Sequence, residues 1–295
     1  MSLIRAVRRW GLLSSALLVG AVGVLGISQV QEELIASGEF TYQIELDALS
    51  EPIPFGQEHF EQRRQPSGNI TFSIQGQANA VDPGALSVEI PPAVRATLTT
   101  LSQAQMRGPY TQQINYSSAW IPQSLRGEFG TSAGRLKVEA RLDPPLWFVR
   151  ATLEGQTFDA SRLIEFPDRF LVDPVASNSS LIHVLGQWLQ THAPALNVGE
   201  QVEIMTFNPL GPRFPPRTLA VTRAPDRTLQ DGTGAGRPVT VYRVRDRAGS
   251  GPQHQVFALD GLMIAIISMA EDIEGAFRLR AFRSDLFPQG VSFSE

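Results

Sequence analysis

Cysteine is absent from the 295 residues. No disulfide can staple the fold, no thiolate is available as nucleophile or metal ligand, and no lipid can be carried on an N-terminal cysteine. Stability must come from a packed core. Lysine is almost as scarce, since Lys137 stands alone among 25 basic residues. The arginines reflect a composition bias, so a local arginine pair says little about function. Histidine occurs four times, at His59, His183, His192 and His254. No two are spaced to share a helical metal site, and no metal or cofactor is expected.

Other absences narrow the chemistry. The one Gly-x-Ser-x-Gly match, Gly130-Thr131-Ser132-Ala133-Gly134, joins two strand patterns and does not lead from a strand into a helix as a nucleophile elbow does, and a hydrolase is the most remote reading. The run Gly232 to Arg237 lacks the Lys-Ser/Thr pair of a phosphate loop and leads into a strand pattern, which makes it a hairpin loop. Glu271, Asp272 and Glu274 lack the spaced oxygen ligands of a calcium loop and read as a solvated turn. The formal charge of −4 becomes about −7 once Arg5, Arg8 and Arg9 are set aside, and an acidic domain is a poor partner for nucleic acid.

One long run, Trp10 to Ile27, is both uncharged and strongly apolar. As a helix it spans roughly 27 Å, just enough to cross a bilayer core of about 30 Å. Arg5, Arg8 and Arg9 precede it while Glu32 and Glu33 follow, which places residues 1–9 in the cytoplasm and the rest outside. Its 18 residues exceed the usual signal-peptide core, favouring an uncleaved anchor over a cleaved signal that would release the domain. The expected organisation is a basic segment 1–9, an anchor or signal 10–27, a stem 28–37 and a β-rich extracytoplasmic domain 38–295.

Within that domain, alternation predicts strands. Phe40, Tyr42, Ile44 and Leu46 share one face of a half-buried strand, as do Ile70, Phe72 and Ile74. Residues 50–67, with three prolines and little periodicity, read as a loop, and so does Asp226 to Arg237. Asp260-Gly261 is the best hairpin signal, and the strand after it, Leu262 to Met269, is apolar enough to be buried on both faces. Two helices are expected. One opens at Pro91-Pro92; the other, Asn178 to Pro194, stacks Leu181, Val184, Leu185, Trp188 and Leu189 on one face. The expected fold class is α+β, a strongly curved antiparallel sheet of about eleven strands packed around that second helix.

The helix around Leu185 and Trp188, then Asn197-Val198-Gly199, Phe207-Asn208-Pro209, and Asp260-Gly261 before an apolar strand follow an order that resembles the lipoprotein-localisation carrier superfamily. The likeness covers residues 110–285. It implies a half-barrel wrapped round helices, with an apolar concavity for acyl chains. The missing cysteine and the anchor argue against shuttling between membranes.

Aromatic residues are in surplus: Phe40, Tyr42, Phe72, Trp120, Trp147, Trp188, Phe207 and Phe257. They suggest a greasy cavity, and small hydrophobic ligands bind in such places. The leading expectation is a non-catalytic, membrane-tethered domain that binds a hydrophobic or lipid-like ligand through Leu181, Leu185, Trp188, Trp120, Trp147 and Phe207. The alternative is a structural or assembly module of a cell-envelope complex with a filled core.

Overall fold

The computed structural model describes residues 32–47, 49–79, 92, 95, 108–131, 134–143, 146–163, 170–172, 185–186, 196–207, 217–231, 236–248, 253–269 and 277–293. The apolar run 10–27, most of both expected helices and the acidic cluster at 271–274 lie outside them.

The α+β expectation is overturned. Among the described residues sixteen strands, not eleven, join one sheet. Helical backbone occurs among the described residues only at Pro92, Arg95, Leu185 and Gly186. The fold of the described residues is nearly all antiparallel β. Two stretches read as loops are strands, and each hides its period for a physical reason.

The first meander runs β1 (Glu33–Leu46), β2 (Ile53–Arg64), β3 (Ile70–Ala78), β4 (Gly108–Tyr116), β5 (Pro122–Thr131), β6 (Gly134–Asp143), β7 (Leu146–Leu153) and β8 (Gln156–Leu163), each beside the last. β2 falls in the stretch read as a loop. Its buried residues are Gly56, Glu58, Phe60 and Gln62, only one of them apolar, so hydrophobicity does not alternate although burial does. β1 reaches back to Glu33, into the residues read as stem.

The second meander starts at the opposite edge. It comprises β9 (Phe170–Val172), β10 (Gln201–Phe207), β11 (Arg217–Asp231), β12 (Gly236–Asp246), β13 (Gln253–Leu259), β14 (Leu262–Met269) and β15 (Phe277–Arg283), and it returns inward until β15 pairs with β1. All these pairs are antiparallel except β9 with β10. β11 continues through the expected loop because a bulge between Ala224 and Arg227 takes up Pro225, whose missing N–H a regular ladder would not tolerate. The hairpin at Asp260-Gly261 is present, with φ of 50° and 79°, the left-handed pair that a two-residue turn requires.

Chain connectivity forces the sheet to coil. β8 and β9 are opposite edges of a fifteen-strand path, yet only residues 164–169 separate them. Seven peptide steps reach about 25 Å at most, whereas the edges of a flat sheet of that width would stand about 67 Å apart. The sheet does not close into a barrel.

Two cores result. The inner one collects Phe40, Phe60, Phe72, Ile114, Trp147, Val221, Val256 and Ile266, among others, from both meanders. The outer one lies behind the second meander. There the far end of β11 pairs with β16 (Val291–Phe293), and Leu229, Val239, Phe257, Ile264, Phe282 and Phe287 are buried together. β14 is buried on both faces, as its composition predicts: Met263 and Ile266 point inward while Ile264, Ala265 and Ile267 point outward. The consecutive outward pair Ile264 and Ala265 coincides with a register shift opposite Phe257/Ala258.

Candidate functional site

Register sets the inner face of the first meander out as rows. One row runs Arg283, Phe40, Glu58, Gly76, Tyr110, Phe129 across β15 and β1 to β5. The next runs Gly38, Phe60, Ile74, Gln112, Gly127, Val138, and the third Ala36, Gln62, Phe72, Ile114, Leu125, Ala140. Phe40, Phe60 and Phe72 form a diagonal aromatic stripe through these rows, with ring centroids 5.7 and 5.9 Å apart.

Polar groups are embedded in this wall. Glu58 is 2% exposed, and its carboxyl accepts hydrogen bonds from Tyr110 Oη at 2.6 Å and Tyr42 Oη at 3.3 Å. Tyr110 reaches Glu58 by lying across Gly76, where a Cβ would stand 2.3 Å from its Cζ. Arg283 uses Gly38 in the same way. Its guanidinium lies where a Cβ would be, 5.8 and 5.3 Å from the Phe40 and Phe60 ring centroids, and donates to Asp285 and to the Ser37 carbonyl. Burial opposes ionisation of Asp285. The bonds and charge of Arg283, with the Glu39 N–H, outweigh it and hold the carboxyl below its ordinary pKa.

Two further side chains stand in the wall. Gln62 and Gln112 are 2% and 4% exposed, and among the described residues neither Gln62 Oε1 nor Gln112 Nε2 has a hydrogen-bond partner. Such orphans are uncommon in packed interiors, because an unmet buried polar group costs about 1–3 kcal/mol.

Of the residues named from sequence, Trp120, Trp147 and Leu185 are brought into the inner cluster with Phe40, Tyr42 and Phe72. Trp147 is fully buried, and Trp120, in the turn after β4 at φ 61°, sits 5.7 Å from the Tyr116 ring. Gly186 approaches β14 so closely that a Cβ would lie 3.0 Å from Met263 Cβ. Phe207 ends β10 with its backbone beside Val172. Leu181 and Trp188 lie outside the described residues. Phe257 belongs to the outer core, not to this wall.

Sequence reasoning missed Glu58, Gln62, Gln112 and Arg283. One signal was available: Gln57, His59, Glu61 and Arg63 are polar at every second position, which is the solvent side of β2. Glu58 and Gln62 obscured it from the other side.

On the inner face of the second meander, His254 Nδ1 lies 2.7 Å from Ser268 Oγ. Burial lowers the His254 pKa to about 4, which makes the ring a weak base, and among the described residues no carboxylate hydrogen-bonds it. The outer face carries two polar grooves. One, of about 390 Å³, lies over β3 to β6 between Gln75, Thr111, Arg126, Glu128, Lys137 and Glu139; the other, of about 360 Å³, lies at the β11 bulge by Asp226, Arg227 and Arg243. Among the described residues no three His, Asp or Glu side chains cluster as a metal site would require.

The inner face is thus an aromatic wall with a few polar groups set into it: Glu58 with its tyrosines, Arg283 with Asp285, and the two glutamines. Comparison with protein-family models, curated proteins and solved structures found no match.

Proposed function

We propose that this chain is a non-catalytic, membrane-tethered extracytoplasmic domain that binds a hydrophobic, lipid-like ligand against the concave inner face of its sheet. One observation carries the reading. The wall is largely apolar from β1 to β7, yet it buries Gln62 and Gln112, each with one amide atom that has no partner among the described residues. A face that served only as packing would be cheaper with apolar side chains there.

The burial gradient supports the same reading. Toward the β8 edge, Val149, Ala151 and Leu153 are half-buried, and Phe158, paired with Ala151, is 58% exposed. An apolar chain could enter along that side and run inward past Trp147. The tether, residues 10–27, rests on the sequence argument, and Leu181, Trp188 and Phe207 are assigned to the same wall by sequence. The second reading, an assembly module with a filled core, draws on the exposed edge strand β8 and on Phe158.

Native mass spectrometry of the full chain, extracted from envelope membranes in a mild detergent, separates the two. Extra mass of lipid size that disappears on denaturation is expected. An unliganded mass, unchanged after envelope lipids are offered, favours the assembly module.

A further inference from the structure

The chemistry of the two glutamines says what kind of head group the ligand carries, an inference that rests on the binding reading above. Gln62 and Gln112 sit on the same face, two strands and two residues apart, about 12 Å between Cα atoms. Phe72 and Ile74 of β3 stand between them. Both side chains are neutral amides. One orphaned atom is an acceptor, Gln62 Oε1, and the other a donor, Gln112 Nε2. Turning either amide over leaves each side chain still offering one carbonyl and one amino group. A hydroxyl both donates and accepts, so a head with adjacent hydroxyls meets both glutamines.

Charge argues the same way. Arg283, the cation that stands in these rows, is already engaged by Asp285 and the Ser37 carbonyl. The carboxyl of Glu58 is taken up by Tyr42 and Tyr110 and supplies no cation to an anionic head. We infer that the inner face takes an uncharged amphiphile with a hydroxyl-bearing head, an acylglycerol, its head between Gln62 and Gln112 and its chain along the aromatic stripe.

The test uses the full chain in phosphatidylcholine nanodiscs, with equilibrium binding of 1-monooleoylglycerol, oleate and methyl oleate. Wild type is expected to bind monooleoylglycerol at least about tenfold tighter than the other two, the worth of one well-made hydrogen bond. Gln62→Leu and Gln112→Leu keep the volume and remove the unmet polar atoms, so their melting temperatures are expected to hold or rise. Each is expected to weaken monooleoylglycerol about tenfold and to leave methyl oleate unchanged. Equal binding of all three probes, or Leu variants that bind monooleoylglycerol like wild type, would overturn the head-group assignment alone. A melting temperature that falls by more than about 5 °C in both variants would make the glutamines structural and overturn it too. Failure of all three probes to bind wild type would instead sink the binding reading beneath it.

Discussion

Replacing Gly76 by alanine tests how the polar wall is built. The added Cβ would lie 2.3 Å from Tyr110 Cζ and 2.4 Å from its hydroxyl oxygen, closer than any real contact, so the ring must leave. With it goes the 2.6 Å bond to Glu58, and a buried carboxyl short of a donor costs about 1–3 kcal/mol. Displacing the ring, itself 6% exposed, adds about 1 kcal/mol of lost burial. Against this stands about 0.5 kcal/mol gained because alanine restricts the unfolded chain. The net is about 2–3 kcal/mol, or a fall in melting temperature of about 5–10 °C for a domain of this size. Urea unfolding measures it. Tyr110→Phe, which keeps the ring over Gly76 and removes only the hydroxyl, should cost about 1–2 kcal/mol. In the double variant the two losses should not add, since both act on one bond. A Gly76→Ala chain within 0.5 kcal/mol of wild type, or additive losses, would refute this account of the wall.

Two more predictions follow from groups at the seam and in the second meander. Arg283→Met should cost about 1–3 kcal/mol by urea unfolding, because it removes the charge-assisted bonds to the partly exposed Asp285 and to the Ser37 carbonyl; a loss under about 0.5 kcal/mol would mean the pair does not hold β15 to β1. For His254 the folded pKa, about 4, lies below the ordinary 6.5, so the unfolded chain binds the proton first. Stability is therefore full above about pH 6.5, declines as pH falls toward about 4, and then levels off for this group. The gap corresponds to about 3 kcal/mol, and to roughly 2 kcal/mol for a side chain that is only partly buried. His254→Val should flatten that limb when urea midpoints at pH 7 and 4.5 are compared, and an unchanged limb would contradict it. Asp285, with its depressed pKa, adds a separate loss at still lower pH.

What could be read from the sequence divides along one physical line. Where the buried side of a strand is apolar, as with Phe40, Tyr42, Ile44 and Leu46 of β1 or the whole of β14, period and burial agree and the reading holds. Asp260-Gly261 holds too, because a two-residue turn demands backbone that few residues adopt. Where the inner face carries polar groups, the signal reverses. Gly56, Glu58 and Gln62 made β2 look like a loop, and the candidate site was hidden by the residues that define it. Pro225 concealed half of β11 by sitting in a bulge, the one place in a ladder that accepts it. Trp120, Trp147 and Leu185 were legible because large apolar side chains seldom stay outside. Their convergence with Phe40 and Phe72, from strands far apart in sequence, depended on the coiling of the sheet, which no local pattern encodes.

The most direct test of the binding face is photolabelling. The full chain in nanodiscs is exposed to a monoacylglycerol bearing a diazirine in its acyl chain, irradiated, digested and mapped by mass spectrometry. Labels concentrated on the inward residues of β2, β3, β4 and β7, and competed away by unlabelled monooleoylglycerol, are predicted. Labels confined to outer-face positions such as Gln75, Thr111 and Lys137, or insensitive to competition, would contradict a ligand on the inner wall.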